Sequence, residues 1–166
     1  MAATTMEKIT SLVRTLQSSG ILETPQGTIM LQAGTSFSWH HQTRVVTYDA
    51  TDPHAEVLLI HEIGHGLLNH REYDHDIHLL EMERAAWDKA QSFSVNFGIT
   101  IDNAMVEDAL DTYRDWLHAR SLCPECSSTG VQTAPNLYAC LACHHTWRVN
   151  EARTCQLRRY DTKKRP

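Results

Sequence analysis

The chain has 166 residues, 42% of them hydrophobic and 21% charged, with a net charge of −5. Such a composition suits one modest globular domain plus a small appendage, with enough apolar residues to bury a core. No run is long and apolar enough to span a bilayer, and MAATTMEKITSLV lacks the basic region, apolar stretch and cleavage site of a secretion signal, so a cytoplasmic protein is expected.

Residues 5–18 read as an amphipathic helix, with Ile9, Leu12, Val13 and Leu16 on one stripe and Gly20 as the stop. Short strands are predicted at Gly20–Thr24 and Thr28–Gln32 around Pro25-Gln26-Gly27, followed by a hairpin of Ser36–His40 and Arg44–Tyr48. A helix is predicted over about 53–69, with Asp52 as N-cap and Pro53 at its first position. The polar link His70–His75 leads to a long helix over about 76–97, ended by Gly98. A further helix over about 103–120 has Asn103 as its N-cap. This order predicts an α+β fold with a small antiparallel or mixed sheet.

The second predicted helix carries His61-Glu62-Ile63-Gly64-His65, an H-E-x-x-H motif. Histidines four residues apart share one helical face, so both rings can reach one metal ion. The glutamate between them can take a proton from water at that ion without being a ligand, which points to a zinc hydrolase with Glu62 as general base. Val57, Leu58, Ile60, Ile63, Leu67 and Leu68 put the motif beside the core; the plain alternative is an amphipathic helix with two satisfied histidines. A catalytic zinc takes three protein ligands and keeps one open position. Glu83 is favoured as the third, because it shares a face of the following helix with Trp87 and Ala90, while Glu81 points about 200° away. His70, His75 and His78 compete for the same role. His75, His78 and Tyr73 are also candidates to stabilise an oxyanion, by nearness in sequence.

The segment His61-Glu62-Ile63-Gly64-His65-Gly66-Leu67-Leu68-Asn69-His70, followed by Glu81-x-Glu83-x-x-x-Trp87-x-x-Ala90, resembles the ImmA/IrrE-type metallopeptidases. The resemblance is specific over residues 55–90, and Arg84 stands where the family usually has alanine. It implies a gluzincin-like fold over residues 1–120 with a zincin-like core, zinc held by His61, His65 and Glu83, and Glu62 as catalytic base. It further implies a protein substrate inside the cell, often a repressor or stress regulator.

Cys123-Pro124-Glu125-Cys126 and Cys140-Leu141-Ala142-Cys143 form a C-x₂-C…C-x₂-C array. Four thiolates close a structural zinc tetrahedron, so residues 121–150 read as a zinc ribbon, with strands near Val131–Thr133 and Asn136–Ala139. Cys155 is left over as a thiol. Two zinc ions are therefore expected, one catalytic and one structural. Residues 1–122 carry 8 Lys+Arg against 17 Asp+Glu (−9), whereas 123–166 carry 7 against 3 (+4). In the ribbon and the basic tail of 151–166, Arg148, Arg153, Arg158, Arg159, Lys163, Lys164 and Arg165 can track nucleic-acid phosphates, with Trp147 and Tyr160 available for stacking. The plain alternative is a ribbon packed on the peptidase with a solvated tail. Two other readings remain. One is the SprT-like class, which joins H-E-x-x-H to a ribbon, acts on DNA-bound proteins and expects a third histidine ligand. The other is a non-enzymatic zinc-dependent adaptor.

Overall fold

Helix α1 (Thr5–Ser19) starts where two orphan N–H groups are satisfied reciprocally: Thr4 Oγ1 accepts from Glu7 N–H and Glu7 Oε2 accepts from Thr4 N–H. It stops at Gly20, whose left-handed φ of 77° closes the C-terminus at no steric cost. The computed structural model describes residues 4–162 of this chain. Among them are four α-helices and small mixed and antiparallel sheets, an α+β fold as the order of elements predicts.

The expected strand at Thr28–Gln32 divides at Ile29. Strand β2 (Gly27–Thr28) closes a hairpin with β1 (Glu23–Thr24). Ile29 turns into the core with its N–H on Leu22 O, and β3 (Met30–Ala33) pairs instead with β5 (Val45–Tyr48), in parallel. Strand β4 (Ser38–His40) pairs with β5 antiparallel, as the predicted hairpin requires. Burying Ile29 sets the pairing, since a one-residue change of register turns every side chain to the other face. Strand β5 is thus central in a mixed three-stranded sheet, and its fully buried Val46 lies in the core. Helix α2 (Ala55–Leu67) packs against β4, β5 and α1.

Two predicted helix starts need correction. Asp52 does not cap α2: its carboxylate accepts from His54 N–H in a turn that precedes the helix, and the capping position is His54, without a side-chain hydrogen bond. The aspartate bonds its own backbone two residues on, a local turn that wins over the cap. Helix α4 (Asn103–Ser121) is started by Asp102, whose carboxylate accepts from Ala104 N–H and whose carbonyl accepts from Val106 N–H. Asn103 Oδ1 accepts from Gln91 Nε2 instead. Helix α3 spans Asp76–Ser94, continues as a 3₁₀ turn over Val95–Phe97, and ends at Gly98 (φ 71°).

The chain forms two units, Met1–Arg71 with Met82–Val106 and Glu72–Glu81 with Glu107–Pro166. The division is drawn differently from the expected boundary at residue 120, because α3 and α4 each contribute residues to both. In the second unit, strands β6 (Val131–Ala134), β7 (Leu137–Ala139), β8 (Thr146–Val149) and β9 (Arg159–Asp161) form one antiparallel sheet in that order. Cys123, Tyr138, Cys140, Trp147 and Val149 are its buried core, with Leu157 packed alongside. Part of the expected tail is therefore an edge strand of the ribbon sheet; Lys163, Lys164 and Arg165 lie outside the described residues. No helix among the described residues is long and apolar enough to cross a membrane.

Candidate metal centres

Helix α2 holds His61 and His65 one turn apart, and α3 brings Glu83 to them. His61 Nε2 lies 3.2 Å from Glu83 Oε2 and 3.2 Å from His65 Nε2, and His65 Nε2 lies 3.5 Å from Glu83 Oε2. All three residues are buried. A tetrahedral ion with bonds of about 2.0–2.1 Å puts its donor atoms about 3.3 Å apart, so the triangle has the edges of one coordination face. Two imidazole nitrogens and a carboxylate, all turned on one point, have few protons to share as hydrogen bonds. Their donor set suits a cation.

Close approach of the helices makes this possible. A Cβ on Gly64 would lie 2.5 Å from Ala86 O, so α2 and α3 touch backbone to backbone one turn beyond Glu83. Gly66 serves the other side, where a Cβ would meet Ile29 Cδ1 at 2.8 Å and the Trp39 ring at 3.3 Å. Trp87 stacks on the His61 ring, centroids 4.0 Å apart. Gly64→Ala gains about 1 kcal/mol of helix propensity, but no rotamer relieves a clash with a carbonyl, and overpacking costs roughly 1–3 kcal/mol. The expected result is a lower melting temperature together with weaker metal binding, read by calorimetry and chelator competition.

Helix α2 ends in a Schellman motif: His70 N–H bonds to His65 O, Asn69 N–H bonds to Gly66 O, and Asn69 takes the left-handed φ of 53°. Arg44 Nη1 donates to Asn69 Oδ1, and Trp39 Nε1 donates to His70 O. This turn carries the His70 ring back, so that its Nδ1 sits 2.8 Å from His65 Nδ1. His70 is thus outside the donor triangle and orients one of its members. Burial, with the neighbouring His65, pushes the His70 imidazole down to about 4, leaving it neutral and able to accept from His65 Nδ1–H. His65 Nε2 is then free to donate its lone pair. Outer partners of this kind typically contribute 10–100-fold in metal affinity, so His70→Ala is expected to weaken binding by about that factor in chelator competition.

Glu62 is half-buried on the same helix. Burial pushes its carboxyl above the ordinary carboxylate range, against the pull of His65 and His61 and a hydrogen bond from the Trp39 backbone. For Glu83 burial acts the same way, yet hydrogen bonds with His61 and His65 prevail and hold it well below that range. The two carboxyls are thus driven in opposite directions, Glu62 toward its neutral form and Glu83 toward its ionised one. Glu81 is exposed; His75 and His78 face each other with ring centroids 5.4 Å apart, and Tyr73 donates to Glu151.

The four cysteines Cys123, Cys126, Cys140 and Cys143 come together, all sulfurs within 4.8 Å of one another. Cys123 and Cys143 are 3.6 Å apart, and Cys126 and Cys140 3.5 Å, close to the edges of a thiolate tetrahedron with bonds of about 2.3 Å. None is in a disulfide. The two knuckles are twins. Ser127 N–H bonds to Cys123 O and His144 N–H to Cys140 O; Cys123 N–H bonds to Ser128 O and Cys140 N–H to His145 O. Ser127 and His144 both have φ of 60°. Hydrogen bonds from Ser128 pull the Cys126 thiol down to about 6, whereas the Cys143 thiol, against a backbone hydrogen bond with His145, is pushed up by burial and the neighbouring sulfurs. His145 lies apart, 2.9 Å from Asp161 Oδ1, and Cys155 Sγ accepts from Asn150 Nδ2.

Trp147 is not available for stacking: it is fully buried, its Nε1 donates to Arg120 O, and Gly130 makes room for its ring, since a Cβ there would lie 2.4 Å from Trp147 Cη2. Sequence reasoning missed a buried network beneath it. Arg120 Nε and Nη2 donate to Asp76, Arg120 Nη2 also donates to Asn136 Oδ1 at 2.6 Å, and Tyr138 donates to Asp76. Only the spacing of Asp76 and Arg120 on the buried stripes of their helices signalled it.

No protein-family model, curated protein or solved structure matches the chain.

Proposed function

We propose that this protein is a zinc-dependent endopeptidase acting on an intracellular protein, with a regulator or repressor as the expected class of substrate. The observation that carries the reading is the donor triangle of His61 Nε2, His65 Nε2 and Glu83 Oε2, with edges of 3.2–3.5 Å and Glu62 on the same helix. Zinc held by His61, His65 and Glu83 would supply Lewis acidity, lowering the pKa of water and polarising the scissile carbonyl. Glu62 accepts the proton of the attacking water and returns it to the leaving amine. His70 keeps the proton of His65 on Nδ1. A carboxylate rather than a third histidine completes the triangle, which supports an ImmA/IrrE-like, gluzincin-type site with a zincin-like core over the SprT-like alternative. The intact Glu62 supports an enzyme over an adaptor. A second zinc, held by the four cysteines, is structural: four thiolates leave no open position.

The test is cleavage of a proteome-derived peptide library by the full chain with zinc. New peptide N-termini that vanish on chelation are expected. Termini that persist unchanged after chelation would overturn the assignment.

A further inference from the structure

The ribbon sheet of the second unit has one buried face and one open face. Alternation along the strands puts Gln132, Tyr138, Trp147 and Val149 inward, and Val131, Leu137, Arg148 and Tyr160 outward. Arg148 and Tyr160 are direct cross-strand partners on β8 and β9, and Leu137 pairs with Arg148 on the other side. Val131 and Tyr160 are 44% and 49% exposed, large apolar surface for so small a sheet. Arg148 is exposed, and its side chain makes no hydrogen bond or ion pair with a described residue. Arg158, also exposed, lies just before the strand that carries Tyr160. The acidic residue of β9, Asp161, is turned to the reverse face, where it meets His145. The strand positions of the open face hold no acidic residue.

We propose that this face, centred on Arg148 and Tyr160, binds single-stranded nucleic acid. Charge complementarity favours a polyanion, because residues 123–166 carry +4 and the Arg148 guanidinium stands on the open side. An exposed tyrosine beside an arginine, on a sheet face with apolar neighbours, offers a base a stacking surface and a phosphate a partner within one nucleotide. Four strands spaced about 4.8 Å apart span about 14 Å, broader than the ~12 Å major groove, so the sheet does not enter that groove as a helix or two-stranded ribbon does. The proposal goes beyond the peptidase reading and does not depend on it.

The test is fluorescence anisotropy of the zinc-loaded full chain with labelled twelve-nucleotide oligo-dT and oligo-U, a twelve-base-pair duplex, and an oligoglutamate peptide. Single strands are expected to bind more tightly than either other probe. Arg148→Ala is expected to weaken binding about ten-fold and to lower the salt slope by about 0.7, one phosphate contact. Tyr160→Ala is expected to lose a similar factor with the slope unchanged, and Tyr160→Phe to bind as the parent does. Arg148→Lys keeps the charge and retains the slope, which separates a lost contact from a damaged fold. No binding of single strands at 50 mM salt, equal or tighter binding of duplex or oligoglutamate, or parental affinity in both alanine variants would each overturn the proposal. The last result would assign binding to Lys163, Lys164 and Arg165.

Discussion

Glu62→Gln is expected to lose about 10²–10⁴-fold in peptide-bond hydrolysis while retaining both zinc ions. The glutamine keeps the shape and length of the side chain but has no lone pair basic enough to take a proton. The metal site does not include Glu62: the converging donor atoms belong to His61, His65 and Glu83. Metal affinity and fold should therefore be preserved, and the loss should fall on turnover. Burial raises the Glu62 carboxyl above the ordinary range, which brings its basicity closer to that of a proton acceptor working near neutral pH. The check is kcat for a peptide that the parent cleaves, with zinc measured on the same sample. Equal turnover in parent and variant would remove Glu62 from the mechanism.

Asp76→Ala is expected to destabilise the protein by roughly 3–5 kcal/mol, the cost of leaving a buried guanidinium without its partner. Arg120 is 1% exposed and Asp76 2% exposed. Two of the Arg120 nitrogens donate to Asp76, and its Nη1 reaches the carbonyls of Asn150 and Glu151, so the network ties α3, α4, β7 and the loop after β8. Asp76 also takes its backbone N–H to Gln132 Oε1 and accepts from Gln132 Nε2. Removing the carboxylate strands several donors at once; Asp76→Leu with Arg120→Met removes both charges and should cost less than the sum of the single changes. Urea unfolding measures both, and a loss below about 0.5 kcal/mol in Asp76→Ala would contradict the role. The network has an alkaline limit. Burial, and then the hydrogen bond to Asp76, raises the Tyr138 phenol above its ordinary value. A group raised in the folded state stabilises below its unfolded pKa of about 10 and loses that contribution as the pH rises through the folded value. Unfolding free energy should therefore fall above about pH 10, and less steeply in Tyr138→Phe.

Periodicity made the helices legible, and spacing made the two converging clusters of possible metal donors legible. His61 and His65 are fixed by one helical turn, and Glu83 was separated from Glu81 by the 100° step and by Trp87, which stacks on His61. The knuckles were legible for the same reason, as local geometry. What escaped was set by competing partners, some a residue or two away and others far along the chain. Asp52 and Asn103 have the right chemistry for a cap, but a local turn and Gln91 claimed their side chains. The expected strand Thr28–Gln32 breaks into β2 and β3 where Ile29 turns into the core, and β3 pairs with β5. The sequence leaves Trp147 available for stacking, but the missing side chain at Gly130 is what lets its ring inside. His70, one of several candidate ligands in the sequence, lies behind His65 because Asn69 adopts the left-handed turn.

Zinc content per chain in the parent and in Glu83→Ala and Glu81→Ala tests the central claim most directly. Two ions in the parent and in Glu81→Ala, and one in Glu83→Ala, are predicted. Two ions retained in Glu83→Ala would contradict a catalytic zinc held by His61, His65 and Glu83.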